Sequence, residues 1–352
     1  MGLRDYIIKR IIYCLILLIF VMSINFIIFM VMPGDPVQFF INPLKKGSAV
    51  DVAEQTRRLR ELWGIGDPDV IRYFKYLYNM MTWNFGITFD RRVPVAGEMA
   101  WRMPYTIILM GGSTAFAVII GVLLGVLSAH KRGGKFDTTS VFTSLIFYSL
   151  PVFWMGMIFI LIFYVNLKWF PLAHAAPAEW AIYPPNPWTI SASSTNPLEI
   201  LVTVNPSDLM STISGFARHM FLPIMTLTLF QYGGFLLLTR ATMIEALTED
   251  YIVTARAKGV KERDVLLRHA LKNASLPLIT SIALAFGFML SGAIITEGVY
   301  TWPGMGRWIF QAIGLKDYNV LQAIFYVIAL CVILANFIAD LLYGIIDPRI
   351  KY

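Results

Sequence analysis

The sequence predicts an all-α integral membrane protein with six transmembrane helices and with both termini on the cytoplasmic side. Only 14% of the residues are charged and 57% are hydrophobic, whereas soluble domains carry about 25% charged residues. Six apolar stretches are long enough to cross a bilayer, and the basic residues gather in the short loops on one side. Lipid is therefore the expected solvent for most of the chain, and the cell membrane is its expected location.

A spanning helix needs about 20 mostly apolar residues, and six segments meet this requirement. They are Ile11–Met32, Tyr105–Ala129, Thr139–Val165, His219–Leu238, Leu278–Thr296 and Val320–Ile345. The first follows a basic tail that contains Arg4 and Lys9, as a signal peptide would. However, its apolar run is too long for a signal peptide, and no small-residue cleavage site follows it. We therefore expect a retained helix.

Basic residues set the expected orientation, because Lys and Arg close to a span resist translocation. With the N-terminus inside, the short cytoplasmic loops are strongly basic, whereas the outer loop 166–218 contains only Lys168 and Arg218 as basic residues. The outer segment 33–104 is basic too, but it is long enough that its charges should not decide the orientation. The expected division is a tail and first helix (1–32), an outer segment (33–104), a transmembrane core of five helices (105–346) and a cytoplasmic tail (347–352).

Several kinds of site are not expected. The net charge of +7 fits membrane orientation rather than nucleic-acid binding, since the basic residues are dispersed among loops. Cys14 and Cys331 lie in apolar runs and are expected to be small buried residues, not a disulfide or a metal pair. The four histidines show no metal-ligand spacing. No Gly-x4-Gly-Lys-Ser/Thr motif is present, so the chain is not expected to hydrolyse ATP itself.

Two parts of the outer side leave their roles open. Asp51 and Glu54 suggest a capped short helix, and a second helix from Asp69 would place an apolar row, including Ile71 and Phe74, on one face. These helices are too polar to span, and we expect them over the outer mouth. They would serve either as a docking surface for an external protein or as a lid. The loop 166–218 is expected to be irregular and to form a second contact with such a partner.

Three positions within the spans predict how the helices pack. Gly121 and Gly125 have the small-xxx-small spacing that lets helices approach closely. Pro151 should kink the third span and free a carbonyl. This kink would serve either packing or the lining of a pathway. Arg240, which ends the fourth span, should extend its charge to the membrane boundary.

The stretch 240–277 is a long hydrophilic run between membrane-length apolar segments. Its basic side chains are Arg240, Arg256, Lys258, Lys261, Arg263, Arg268 and Lys272. Ala255 and Ala257 favour a helix that Gly259 should end, and a second helical run follows from Glu262 to Leu271. The pattern predicts a compact cytoplasmic knob that a partner protein could grip.

The knob resembles the EAA loop of ABC-importer permeases, in the variant found in dipeptide and oligopeptide (peptide/nickel) permeases. That variant reads about Asp-Tyr-Ile-x-x-Ala-Arg-Ala-Lys-Gly, then His-Ala-Leu-x-Asn-Ala-x-x-Pro. The matching residues are Asp250, Tyr251, Ile252, Ala255, Arg256, Ala257, Lys258, Gly259, His269, Ala270, Leu271, Asn273, Ala274 and Pro277. Val253 and Thr254 depart from the general EAA pattern, and this departure favours the peptide-type branch.

A second passage resembles the same permeases. From Gly292 to Gly306 the sequence follows Gly-Ala-x-x-x-Glu-x-x-Phe-x-x-Pro-Gly-x-Gly, with Tyr300 at the Phe position. Its Glu297 is interpreted either as a gate or amine-binding residue, or as a carboxylate that pairs with an Arg or caps a short helix. Trp302 and Pro151 are further gate or pathway candidates.

The C-terminal end also fits the pattern Asp-x-x-Tyr-x-x-x-Asp-Pro-Arg, from Asp340 to Arg349. An intramembrane carboxylate suggests a function by default. However, Asp340 lies within about two helical turns of the inner interface. We expect it to form a structural ion pair with the knob or with Arg349.

The resemblance implies a permease subunit of an ATP-driven importer with the binding-protein-dependent (MetI-like) bundle. In that family the knob places a coupling helix in a cleft of an ATPase subunit. The implied coupling residues are Asp250, Tyr251, Ala255, Arg256, Ala257, Lys258 and Gly259. The implied partners are a second homologous permease, two ATP-binding subunits that hold ATP and Mg, an extracytoplasmic solute-binding protein and membrane lipid. No cofactor is expected on this chain.

The implied cargo is a dipeptide or oligopeptide, and oligosaccharides and nickel chelates are the alternatives. Trp180, Tyr183 and Trp188 would suit stacking on sugars, but they suit membrane interfaces equally well. A stand-alone secondary transporter would show inverted repeats or mid-membrane charges. An intramembrane enzyme would show paired catalytic groups at one depth. The sequence shows neither pattern, so we expect a transport subunit and not an enzyme.

Overall fold

The computed structural model describes residues 3–31, 57, 67–172, 175, 188–192, 200–204 and 206–346. Most of this part of the chain is helical, as the sequence predicts. The helices are α1 (Leu3–Val31), α2 (Asp69–Met81), α3 (Val95–Thr106), α4 (Gly112–His130), α5 (Lys135–Ser149), α6 (Val152–Phe159), α7 (Pro206–Leu247), α8 (Asp250–Ala257), α9 (Glu262–Asp264), α10 (Leu271–Gly287), α11 (Ile294–Val299), α12 (Met305–Leu315) and α13 (Tyr318–Ile346). Turns of π-helix continue α3, α6 and α9 at Ile107–Gly111, Ile160–Asn166 and Val265–Ala270, and a 3-10 turn, Phe288–Ser291, continues α10.

The outer loop contains regular structure that the sequence analysis did not predict. Strands β1 (Trp188–Ala192) and β2 (Ile200–Val204) pair antiparallel, with Trp188 opposite Val204. β-branched residues are frequent in both strands, and such residues favour strand conformation. The helix α7 also begins at Pro206, within the stretch that was expected to be loop. The prediction of an irregular loop is therefore wrong for these residues. The predicted short helix near Asp51 lies outside the described residues.

Within the residues that the structure describes, five continuous helical stretches are long and apolar enough to cross a membrane. They are Tyr6–Phe29, Val95–His130, Met210–Leu247, Glu262–Ser291 and Tyr318–Leu341. The predicted third span is instead two helical halves, Lys135–Ser149 and Val152–Asn166, which meet at an angle of 98°. Pro151 lies at the break, where it begins α6. The kink is confirmed, but it is a complete break rather than a bend within one helix.

The helices α4 and α7 run parallel to each other in close contact. A Cβ atom on Gly121 would lie 2.6 Å from Cβ of Phe235, and one on Gly125 would lie 2.6 Å from Cβ of Thr239. Both distances are shorter than real contacts, so the two glycines allow this packing, as their spacing predicts. Because both helices run in the same direction, the chain between them has to return across the bilayer. The broken pair of α5 and α6 supplies that crossing.

The knob, the start of α1 and the end of α13 lie at the same end of the bundle. Gly287 of α10 packs against Ala335 of α13, and Leu290 belongs to the same buried cluster as Val327, so these two helices are antiparallel. Since α10 begins at the knob, the last turns of α13 return to that end. Asp340 forms an ion pair there with Arg10 of α1. In the described part of the chain the partner of Asp340 is thus Arg10 and not the knob, and the predicted pairing with Arg349 lies outside the described residues.

At the opposite end, Asp317 fixes the start of α13 to the outer segment. Its carboxylate accepts hydrogen bonds from the backbone N–H groups of Phe89 (2.6 Å) and Val320 (3.2 Å). The Asn319 side chain donates to the carbonyl of Ile87 (3.0 Å). Burial raises the pKa of Asp317 to about 6, assisted by the nearby charge of Asp90 and opposed by the two N–H donors.

The raised pKa of Asp317 predicts that the stability of the folded protein depends on pH. A carboxyl whose pKa is raised in the folded state binds its proton more tightly there than in the unfolded chain. Its contribution is therefore greatest below about pH 4 and is lost as the pH rises through about 6. An Asp317→Asn variant stays neutral, so its melting temperature relative to wild type should rise between pH 4.5 and 7.5, as scanning fluorimetry in detergent would measure. A difference that is constant with pH, or that falls, would contradict this assignment.

Candidate functional site

The knob, residues 248–270, consists of a short helix, a glycine turn and a second helical stretch. The first helix, α8, begins at Asp250 and ends at Ala257. Gly259 then takes a left-handed conformation with φ of +74°. The N–H of Val260 donates to the carbonyl of Ala255 across this turn (3.2 Å). Such a turn is a common helix stop at which glycine avoids steric strain, so the predicted helix and its end are confirmed.

One face of α8 is buried against the bundle. Ile252 is completely buried and Ala255 is 6% exposed. The cluster that contains them is made of Val126 and Ala129 of α4, Met243 and Ala246 of α7, and Val265, Leu266, Ala270 and Ala274 of the segment that leads into α10. The knob is thus packed on three membrane helices rather than suspended from a loop. Ala255, which the resemblance assigns to the partner contact, is packed within this chain, and its coupling role stays a prediction.

The opposite face of α8 is open to a partner. The exposed residues are Asp250, Tyr251, Val253, Thr254, Arg256, Ala257, Lys258 and Gly259. The guanidinium of Arg256 contacts both carboxylate oxygens of Glu262, at 2.7 and 3.2 Å, and His130 lies 3.7 Å from the same carboxylate. Val253 is 61% exposed, and sequence reasoning passed over it because it departs from the general pattern. Its spacing of four from Ala257 places both on one face.

Arg240 and Asp137 form a partly buried ion pair close to the knob, and this pair was not predicted from the sequence. The guanidinium of Arg240 donates to both oxygens of Asp137 in the first turn of α5, Nε to Oδ1 at 2.6 Å and Nη2 to Oδ2 at 2.8 Å. The expected position of this charge at the membrane boundary stays a prediction. Asp137 also accepts hydrogen bonds from the Ser128 hydroxyl and from the N–H of Gly133 (2.9 Å). These contacts join the turn between α4 and α5 to α7, close to the base of the knob.

The second candidate cluster surrounds Glu297, which is completely buried. Its Oε1 accepts a hydrogen bond from the Thr106 hydroxyl (3.1 Å), and its Oε2 accepts one from the N–H of Arg307 (2.9 Å). The N–H of Met305 donates in turn to the Thr106 hydroxyl (2.7 Å). Glu297 therefore caps the N-terminus of α12, where unpaired N–H groups favour a carboxylate. Burial raises its pKa, although the donors from Arg307, Thr106 and Gly306 oppose the increase.

Glycines create the space around this carboxylate. A Cβ on Gly304 would lie 2.5 Å from both Glu297 Oε2 and Thr106 Oγ1. A Cβ on Gly306 would lie 2.8 Å from the backbone of Ile294, and Gly292 has a φ of +70°. The glycine pattern noted in the sequence thus corresponds to a tight connection between α11 and α12 that is built on a buried Glu.

The other pathway candidates lie in different surroundings. Trp302 is buried, and its indole N–H donates to the carbonyl of Tyr105 (3.0 Å). The hydroxyl of Tyr300 contacts Thr226 Oγ1 (2.9 Å) and the carbonyl of Gly156 (3.2 Å), and so joins α11 to α7 and α6. Pro151 is exposed at the break. The structure brings Glu297 and Trp302 together in one connection but leaves Pro151 apart, and a pathway role for each of the three stays a prediction.

Metal-ligand groups are not assembled in the described part of the chain. No group of three or more His, Cys, Asp or Glu side chains there has a geometry that could hold a metal ion.

Known transport proteins are similar to this chain over most of its length. Residues 121–352 match the family described as "Binding-protein-dependent transport system inner membrane component". The oligopeptide transport system permease protein AppB of Bacillus subtilis (strain 168) is 35% identical over 348 residues, which cover 99% of each chain. The dipeptide transport system permease protein DppB of Escherichia coli (strain K12) is 35% identical over 91% of each chain. The glutathione transport system permease protein GsiC of the same strain is 32% identical over 99% of each chain. The chain belongs to the family of inner membrane components of binding-protein-dependent transport systems.

Proposed function

We propose that the chain is a permease subunit of an ATP-driven importer and forms half of the translocation pathway for dipeptides or oligopeptides. Similarity over almost the full length to permeases named for oligopeptide, dipeptide and glutathione transport carries this proposal. Three such names favour a peptide cargo, and none of the three indicates a sugar or a nickel chelate. The aromatic residues that suggested sugar stacking lie where no side-chain position is described.

The knob is the proposed contact with an ATP-binding subunit, and the end of the bundle that carries it is the proposed cytoplasmic end. The support is the exposed face of α8 together with its packed back. Because α8 rests on α4, α7 and the start of α10, a force on the knob acts on three spanning helices. ATP and Mg would be held by the two partner ATPase subunits. A second homologous permease and an extracytoplasmic solute-binding protein complete the proposed assembly.

Reconstitution tests the function directly. The chain should be purified from its native membranes with the proteins that remain attached, which mass spectrometry would identify. Proteoliposomes that contain this assembly should take up a labelled di- or oligopeptide only when ATP and the binding protein are present. Uptake of sugars but not peptides would overturn the cargo. Uptake by this chain alone, without an ATP-binding subunit, would overturn the whole proposal.

A substitution series at Gly259 tests the coupling contact. Both Gly259→Ala and Gly259→Trp place a Cβ at a positive φ, which costs about 1–2 kcal/mol of backbone strain. No atom lies within 4 Å of that Cβ, so the Cβ atom of either variant clashes with nothing in this chain. The bulky Trp should therefore disrupt the partner contact alone. We expect Gly259→Trp to lower peptide uptake per ATP hydrolysed well below the value for Gly259→Ala, while membrane insertion stays normal. Equal uptake by the two variants would count against the coupling role.

A further inference from the structure

Helix α2, in the outer segment, has three chemically different sides. Tyr76 and Met80 are buried against α1 and the core. Lys75 is exposed and pairs with Asp67 at 2.6 Å, and Asn79 lies one turn further along the same side. The third side is apolar and open, and each of its residues Val70, Phe74, Tyr78 and Met81 is more than half exposed. A helix that only covered the bundle would not need this third side.

The depth of α2 in the membrane follows from its contacts with α1. The Ser23 hydroxyl lies 2.6 Å from the Tyr73 hydroxyl, and the Asn25 amide donates to the Tyr76 hydroxyl at 2.8 Å. The helix α1 ends at Val31 and is apolar up to that point. With a rise of about 1.5 Å per residue, the contact lies about 9–12 Å before the end of this helix.

A second helix also places the contact inside a spanning helix. The Asn25 amide also donates to the carbonyl of Gln322 (3.2 Å) in α13. Gln322 lies four residues after Tyr318, where the last candidate span begins, so it is about 6 Å inside that span. Both helices therefore place the contact with α2 below the membrane surface, at the level where acyl chains meet headgroups.

We propose that α2 is an interfacial helix whose apolar side lies in the outer leaflet, with membrane lipid as its partner. Interfacial helices bury an apolar face about 5–10 Å into the boundary between headgroups and acyl chains, which is comparable with the distances of about 6–12 Å from the helix ends found here. In α1, Ile24, Ile27 and Ile28 are exposed at the same level. They lie within the span and face lipid, so the apolar side of α2 continues a lipid-facing surface at that depth.

The polar residues of α2 and the aromatic residues near its end agree with this placement. The polar side holds Lys75 and Asn79 toward the headgroups and water. The exposed aromatic residues Tyr78 and Trp83 lie near the end of the helix, and such residues prefer the membrane interface. A soluble binding protein would have to enter the acyl region to cover Phe74. The expected location over the outer mouth is thus replaced, for α2, by a location beside α1 in the leaflet.

Spin labels at neighbouring positions test the proposal. In a Cys14→Ala/Cys331→Ala background, the single variants Phe74→Cys and Tyr78→Cys probe the apolar side, and Lys75→Cys and Asn79→Cys are the matched polar controls. The labelled protein is reconstituted in vesicles of phosphatidylethanolamine and phosphatidylglycerol. We expect the ratio of oxygen to nickel-chelate accessibility in electron paramagnetic resonance to be several-fold higher at 74 and 78 than at 75 and 79.

Two outcomes would overturn the lipid assignment. One is a preference of the labels at 74 and 78 for the water-soluble nickel chelate, equal to that of the controls. The other is low accessibility to both reagents at 74 and 78 in the assembled importer, which would show that a protein subunit covers this side. A folding defect at one position leaves the comparison intact, because each side is probed twice.

Discussion

Replacing Arg240 with Ala is expected to destabilise the protein by about 3 kcal/mol, because Asp137 would be left as a buried charge without its partner. The carboxylate of Asp137 is 5% exposed and the side chain of Arg240 is 28% exposed, so neither charge is well solvated in the folded state. Asp137 would keep the donors from Ser128 and Gly133, which do not neutralise its charge. The melting temperature of the purified variant and its level in the membrane should both fall strongly.

A double-mutant cycle separates the pair from its surroundings. Asp137→Asn should also be destabilising, since it leaves the guanidinium of Arg240 without a charged partner. The double variant Asp137→Asn/Arg240→Ala removes both charges and should lose much less stability than the sum of the two single changes. Losses that simply add would show that the two residues act independently. Reconstituted double variants would also show whether coupling needs this pair or only needs the helices α4, α5 and α7 to stay together.

The second large effect is expected at Gly304. In Gly304→Ala the new methyl group would lie 2.5 Å from two buried oxygens, those of Glu297 and Thr106. Overpacking of a tight interior commonly costs about 1–3 kcal/mol. Here the displaced groups also cap α12, so we expect a loss near the upper end of that range, with lower accumulation of folded protein and a reduced melting temperature.

Gly298 provides a matched control in the same connection. It lies in α11, and a Cβ there would meet no atom within 4 Å. Gly298→Ala should therefore be neutral or slightly stabilising, because Ala is the better helix former. If both alanine variants accumulate and melt like wild type, the connection is looser than its contacts suggest, and the capping role of Glu297 loses its support.

The spans and the knob were predictable because each depends on local sequence. An apolar run of membrane length, a helix without Gly or Pro and a glycine stop are all visible over a few turns. The buried side of α8 was harder to predict from the sequence. Ala255 belongs to the same motif as the exposed Ala257, and only the contacts with α4 and α7 distinguish the two residues.

Features that depend on distant pairing could not be predicted in this way. Asp137 and Arg240 are separated by 103 positions in the chain, and neither lies in a motif that names the other. Arg10, the partner of Asp340, is near the opposite end of the sequence. Capping was one of the two roles that the sequence left open for Glu297. The hydrogen bond from Thr106 supports this role, but Thr106 is far away in the sequence and comes beside Glu297 only in the folded chain. Tertiary packing decides such pairings.

The break at Pro151 has a consequence for how this chain can exist in a bilayer. Pro151 has no N–H, so the carbonyl of Phe147 loses its usual donor four residues ahead. Neither half of the crossing is long enough to traverse the hydrocarbon by itself. Hydrocarbon offers no hydrogen bonds to the polar backbone that such an interruption uncovers. The polar backbone groups at this break therefore need partners that hydrocarbon cannot supply, which other parts of the protein or water can provide.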